Sequence, residues 1–340
     1  MRMKRYAAAA AGVLAFQISG AHAQGAVTLY GLTDAFVGSL KNSGAPEQTS
    51  VLNNGGMTTS YFGLRGHEDL GGGLGAFFAL ESYLRIDSGA SGRFTGDPLF
   101  ARGAYVGLDG RFGKVALGRN ANPYFVSTLS FNAFRDSFTF SPMMLHTFIA
   151  SGLGKPSIQG DTAWSNSVLY ATPSWGGITG NAIYALGETP GHAGQGNYGA
   201  NVTYASEKLS ATLAAQYVAI APLLNNGATT QKAIQAGVSY DFSVTKLFAQ
   251  YQYANSNNSL RDNTYAISAA TPLGAGSILV AWAHTSRSLA GAQTQHRNTA
   301  AVGYDYFLSK RTDVYLNYMY DKVSAMATGN SFGLGLRHRF

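Results

Sequence analysis

The 340-residue chain has no cysteine and only 12% charged residues. Without a thiol there is no disulfide framework, no Cys-ligated metal and no thiol nucleophile. No apolar run reaches the roughly 18 residues that a membrane-spanning helix needs. The histidines that follow the N-terminal segment, His67, His146, His192, His284, His296 and His338, show neither H-x-x-x-H nor H-x-H spacing. They imply no metal site, and nothing else in the chain implies a cofactor. Basic residues exceed acidic ones, 24 to 17, but three of the basic ones belong to the N-terminal segment described next. The remaining excess of four is scattered, which is not the clustered footprint of a nucleic-acid binder.

What the chain does have begins with a leader. Arg2, Lys4 and Arg5 precede an apolar stretch, and Ala21-His22-Ala23 is an A-x-A cleavage site. Residues 1–23 therefore read as a signal peptide, with a mature 24–340 domain beginning at Gln24 in an exported protein. Gly at 42, Tyr at 20 and Phe at 19 suit long antiparallel strands with aromatic girdles at two membrane interfaces. Alternating segments fall at 26–38, 57–68, 74–87, 99–109, 114–119, 165–173, 178–188, 197–206, 208–220, 231–241, 244–254, 263–271, 276–287, 297–306, 311–323 and 330–340. Sixteen is an even number, as an all-β, antiparallel transmembrane barrel of a single bacterial chain requires.

Connections alternate between tight turns, such as Asp69–Gly73, Gly110–Gly113, Glu207-Lys208 and Leu308–Lys310, and longer stretches such as 39–56, 88–98, 189–196 and 221–230. Short turns on one side and long loops on the other is the outer-membrane pattern, the short ones facing the periplasm. In 74–87, Leu74, Ala76, Phe78, Leu80, Leu84 and Ile86 share one face, and Phe77, Glu81, Tyr83, Arg85 and Asp87 share the other. Apolar out and charged in describes a wall between lipid and water; a soluble sandwich would bury the apolar face.

The rhythm breaks from Asn120 to Trp164. A connection this long is usually functional or disordered, and this one is too rich in Phe and Met to be a solvated tail. Its expected place is inside the barrel, as a constriction loop.

Several of these segments resemble the Gram-negative general porins, particularly the trimeric porins of β-proteobacteria. VTLYGLTDA at 27–35, YFGLRGHEDLGGGLGAFFALES at 61–82 and FARGAYVGLDGRFGKVALGRN at 100–120 match the early strands. NSVLYATPSWGG at 166–177, LSKRTDVYLNYMYDKV at 308–323 and the terminal GLGLRHRF match later ones. The resemblance implies an outer-membrane homotrimer passing ions and small hydrophilic solutes by passive diffusion, with no catalysis. It also implies that 120–164 is the third extracellular loop, folded into the lumen, and that the terminal Phe340 is read by the barrel-assembly machinery.

Such porins narrow at an eyelet where a basic wall faces acidic loop groups. Arg102 matches a ladder position, Arg65 lies on the face of Tyr61 and Gly63, and Glu81 and Arg85 share the inward face of the next strand. The loop contributes Arg135, Asp136 and Asp161. Two departures stand out: Tyr61 where the family usually has Arg, and Ala163-Trp164-Ser165 where an Arg usually precedes N-S-V. The eyelet is thus expected to be less charged and more aromatic, putting strong anion selectivity in doubt. An alternative follows, a substrate-specific porin with an aromatic slide of Tyr61, Phe125, Phe131, Phe134, Phe138 and Phe140.

Two further signals carry less. Gly71 to Ala76 satisfies G-x-G-x-x-A, but a strand follows where a dinucleotide site needs a helix. His284 and Ser286 share one strand face, as in an outer-membrane hydrolase, yet no Asn or acid on a neighbouring strand marks itself as the orienting third group. Outward small residues (Gly31, Ala101, Gly103, Gly107) suggest close packing between protomers.

Overall fold

The computed structural model describes residues 27–150, 153–154, 156–188, 190, 196–219, 228–290 and 294–340; the leader, Gln24 and His192 lie outside these. Strands run in chain order as β1 (Thr28–Leu40), β2 (Thr49–Asn54), β3 (Tyr61–Gly71), β4 (Leu74–Arg85), β5 (Ala90–Ser91), β6 (Gly103–Gly110) and β7 (Gly113–Ala121). After two helices, α1 (Pro123–Ser130) and α2 (Pro142–Phe148), come β8 (Ala163–Ala171), β9 (Ile178–Leu186), β10 (Gly196–Ala205), β11 (Leu209–Val218), β12 (Gln231–Asp241) and β13 (Lys246–Ser256). The chain ends with β14 (Arg261–Leu273), β15 (Gly276–Ser288), β16 (Gln295–Phe307), β17 (Thr312–Val323) and β18 (Gly329–Arg339).

These eighteen segments form sixteen staves of one closed antiparallel barrel. The two-residue β5 only bridges the end of β4. β2 and β3 make a single stave, since β1 pairs with β2 through Ala35–Leu40 and with β3 through Thr28–Leu32. The interruption between them is held by Asp34, whose carboxylate accepts the N–H groups of Gly56, Met57 and Thr58 and the Tyr315 hydroxyl. The stretch 49–54, expected as loop, is therefore strand.

Closure leaves no unpaired edge for lipid to meet. β1 pairs with β18 from Leu32↔Arg339 to Ser39↔Phe332, and Gly31 and Phe340 exchange N–H···O bonds of 3.2 and 3.1 Å. Gly31 is required there, because a Cβ would lie 2.5 Å from the Tyr61 carbonyl oxygen and 2.6 Å from the Phe340 ring. Gly71, Gly72 and Gly73 all adopt positive φ in the β3–β4 turn, so this glycine run is a turn and not a phosphate loop.

Alternation sets the wall. Along β12 the side chains of Lys232, Ile234, Ala236, Val238 and Tyr240 are exposed while Gln231, Ala233, Gln235, Gly237 and Ser239 are buried. Leu213, Ile267, Val280, Leu316 and Leu334 extend the exposed apolar band around the barrel. Gly31 stands on this outer face, but Gly103 and Gly107 do not. Their added Cβ atoms would meet Glu81 and Phe77, which point inward, and Ala101 is fully buried. The proposed small-residue packing face is thereby reduced to Gly31.

The long segment is more regular than expected. Asn122 caps α1 by accepting from the Tyr124 N–H, and Ser141 caps α2 through the Met144 N–H, each followed by proline at the first helical position. Asn-Pro and Ser-Pro are the local signals for those starts. The helices pack on the barrel's inner face. Tyr124 Oη donates to the Ile234 carbonyl, Ser127 bonds Thr212, and Ala133 N–H donates to Ser268 Oγ. Phe134, Phe140 and Leu145 join Phe36, Tyr315 and Met319 in a buried apolar cluster. Each such side chain contributes about 1.5–3 kcal/mol by burial. Where this segment lies, the inner wall is a packed interface and not a water-facing surface.

Candidate functional site

On one side of the interior, β3 and β4 present Tyr61 and Glu81, with Arg102 just ahead of β6. Arg102 Nη1 meets Glu81 Oε2 at 2.6 Å, and its guanidinium lies 3.8 Å from the centre of the Tyr61 ring. Glu81 also accepts the Tyr30 hydroxyl at 2.7 Å, and Arg65 stacks over the Tyr30 ring at 4.6 Å. Gly63 and Gly103 leave room for this pair, since a Cβ at either would press on Glu81 at 3.1 or 2.8 Å. Tyr61, Arg65, Glu81 and Arg102 are thus one contiguous group, and Tyr61 supplies a π-face at the position where the resemblance noted a missing arginine.

A second group gathers on Asp161. Arg93 donates to both its oxygens, at 2.6 and 3.1 Å, and Arg119 donates to Oδ2 at 2.7 Å. Arg93 is held in turn by Asp97, and Arg119 also bonds Ser165 and the Ala101 carbonyl. Burial alone would raise the Asp161 pKa, but the hydrogen bonds and charge of Arg93 and Arg119 outweigh it and hold it at about 2. The positive charge missing from 163–165 is therefore supplied from elsewhere, and this part of the site is more charged than expected.

Arg93 and Arg119 were not anticipated. Alternation from Leu117 puts Arg119 on the lipid-facing side, but a register shift between Gly118 and Asn120 turns the strand's phase. Arg93 sits in a turn-rich loop where periodicity carries no information.

The remaining predicted residues are spread out. Asp136 accepts from Thr58 Oγ1 at 3.2 Å. Arg135, in left-handed backbone at φ 48°, is exposed. Arg85 faces a cavity beside Asp161, away from the Arg102–Glu81 pair. Of the expected aromatic slide, Phe131, Phe134 and Phe140 are buried against the wall. Phe125 and Phe138 stay half-exposed, and with Phe148 they form a cluster of rings 5.5–6.3 Å apart.

His284 and Ser286 stand on the outer face. Contrary to expectation, an asparagine does face the histidine: Asn298 Oδ1 lies 2.9 Å from His284 Nδ1. Among the described residues no hydrogen bond joins His284 to Ser286, and the His284 ring stacks between Trp282 and His296. Stacked rings on the outer face suit an aromatic girdle better than a catalytic pair.

The Gram-negative porin family matches residues 7–325 of the chain. Outer membrane porin protein 32 of Delftia acidovorans is 35% identical over 319 residues, covering 91% of this chain and 87% of that one. An outer membrane porin protein of Bordetella pertussis is 29% identical over 397 residues, covering 97% of this chain and 98% of that one. The solved structure of the anion-selective porin from Comamonas acidovorans superimposes with a TM-score of 0.78 at 28% identity, covering 93% of this chain and all of that one. With a closed sixteen-stave barrel, an apolar outer band and charged groups on the inner face, the chain belongs to the Gram-negative porin family, whose members are channels of the outer membrane.

Proposed function

We propose that this porin is a passive diffusion channel for ions and small hydrophilic solutes, narrowed by residues 122–162 and mildly selective for anions. The observation that carries this reading is the uneven pairing of charge on the inner face. Arg102 is matched by Glu81, and Arg93 and Arg119 by Asp97 and Asp161. Arg65, Arg85 and Arg135 have no acidic partner among the described residues, and Asp136 is the sole carboxylate left in the loop. A ring of fixed charge biases which ions enter, and among these groups at the constriction the surplus is positive. The relative from Comamonas acidovorans, which is described as anion-selective, supports the same sign.

The working unit is a homotrimer of barrels cleaved after residue 23, with Phe340 as the signal read by the barrel-assembly machinery. Reversal potentials of single channels in a planar bilayer under a KCl gradient test the channel reading. The expected result is conductance in groups of three steps and a potential on the anion side. Folded protein without conductance steps overturns the channel; a potential on the cation side overturns the selectivity. The outward His284–Asn298 pair gives no ground for a hydrolase, since Ser286 lacks the base within reach that a nucleophile needs.

A further inference from the structure

Beside the constriction lies a cavity of about 600 Å³, within the range of small-molecule sites. Its lining is mixed in chemistry. Phe94, Phe138, Phe148, Ile149 and Ile158 are apolar, and Arg85, Asn54, Arg93 and Asp161 are polar. Apolar aromatic surface is not needed to pass hydrated ions, and a lumen built only for them would leave it covered.

The polar lining contains unfinished chemistry. Every donor position of Arg93 that the geometry brings near an acid is taken, by Asp97 and by Asp161. Arg85 differs. Its guanidinium has no hydrogen bond or ion pair with the described residues, and its Nε is buried away from solvent. Asn54 Oδ1, on the same cavity, is likewise buried and unbonded. A buried donor and a buried acceptor left without partners are costly unless something completes them. A guanidinium is the planar fork that matches a carboxylate with two parallel bonds. On the same cavity, Phe138 and Phe148, 6.3 Å apart and tilted by 56°, offer the edges and faces against which another ring packs.

We propose that this cavity is a solute-binding subsite for small aromatic carboxylates, with Arg85 holding the carboxylate and Phe138 and Phe148 holding the ring. Asn54 Oδ1 then accepts from a ring hydroxyl, which favours hydroxylated members of the class. The subsite rests on the channel reading above and deepens it. A weak site in the pathway raises the local concentration of its solute at the narrowest point, and remains useful only while release is fast.

Purified full-length channels in a planar bilayer test this, with 4-hydroxybenzoate, benzoate and acetate added as sodium salts at matched ionic strength. Transient interruptions of the chloride current are expected with the aromatic acids at concentrations where acetate has no effect. Arg85→Gln is expected to raise the half-blocking concentration of benzoate roughly tenfold, the scale of one charge-assisted bond. Arg85→Lys restores part of it, and Phe148→Leu raises it about threefold to tenfold, the scale of one ring contact. Removing the acceptor in Asn54→Ala is expected to abolish the preference for 4-hydroxybenzoate over benzoate. Folding of each variant is checked by its heat-modifiable gel mobility. Equal interruption by acetate and benzoate, or unchanged benzoate block in both Arg85→Gln and Phe148→Leu, overturns the subsite while leaving the channel intact. Absence of any conductance from folded wild-type protein overturns the channel itself.

Discussion

At the residue scale, Asp161 shows how one side chain sets both charge and geometry. Two arginines, Arg93 from a loop and Arg119 from β7, converge on its carboxylate, and it sits in left-handed backbone at φ 60° between the loop and β8. Replacing it in Asp161→Asn frees one net positive charge at the narrow point. A unit charge at about 4 Å in water is worth about 1 kcal/mol. The anion-to-cation permeability ratio should therefore rise roughly fivefold at low salt and by less at high salt, where the charge is screened. A reversal potential that does not move toward anions would show that Asp161 does not face the ion path. Because its folded pKa is held near 2, below the ordinary 3.8, its contribution to stability is complete above about pH 4. That contribution is lost as pH falls through about 2, so acid titration of the wild type between pH 7 and 4 should leave this ion pair intact.

At the element scale, α2 is latched to the wall by a buried histidine. His146 Nε2 lies 2.7 Å from Thr299 Oγ1, and Nδ1 lies 2.7 Å from Thr285 Oγ1. The Thr299 hydroxyl gives its one hydrogen to Asp321, so it must accept from Nε2–H; in the uncharged ring Nδ1 then accepts from Thr285. Burial, with Arg297 and His284 nearby, holds the ring's pKa well below the ordinary 6.5. Arg297 reinforces the latch by donating to the Leu145 carbonyl while paired with Asp321. Since the folded pKa is depressed, the latch contributes fully above about pH 6.5 and is lost as pH falls through the folded value. The thermal midpoint of the folded barrel in detergent should fall on acidification, and the drop should be smaller in His146→Asn. At neutral pH that variant should lose about 1–3 kcal/mol, the cost of unmatched buried hydroxyls. An identical acid profile in both proteins would place the acid-sensitive group elsewhere.

At the scale of the whole molecule, closure depends on the meeting of the two chain regions at Gly31 and Phe340. Both backbone groups of Phe340 bond Gly31, and its ring covers the glycine. Deleting Phe340 removes two seam bonds, each worth about 1 kcal/mol, along with the ring. Gly31→Val drives a side chain into the Tyr61 carbonyl. Both changes should lower the fraction of heat-modifiable folded barrel in a refolding assay, Gly31→Val the more severely. Normal folding of Gly31→Val would mean the seam tolerates a shifted register. Trimer assembly is read separately, as mass in mild detergent.

Alternation along each strand was enough to count the staves and to separate a lipid face from an inner one, because side-chain direction in a strand has period two. The glycine turn and the chain bounds of the long segment were local as well. Arg65 and Glu81 were assigned a strand face for the same reason, whereas Arg102, just ahead of β6, was placed only by its resemblance to a ladder position. Tertiary structure alone decided which charges meet. Arg93 and Arg119 reach Asp161 from positions 68 and 42 residues away, one through a loop without period and one past a bulge that reverses the face. It also decided which phenylalanines are walls and which are surface. Phe134 and Phe138 lie four residues apart in a segment with no strand period, and only packing against Phe36 and Tyr315 buries the first while leaving the second to the cavity.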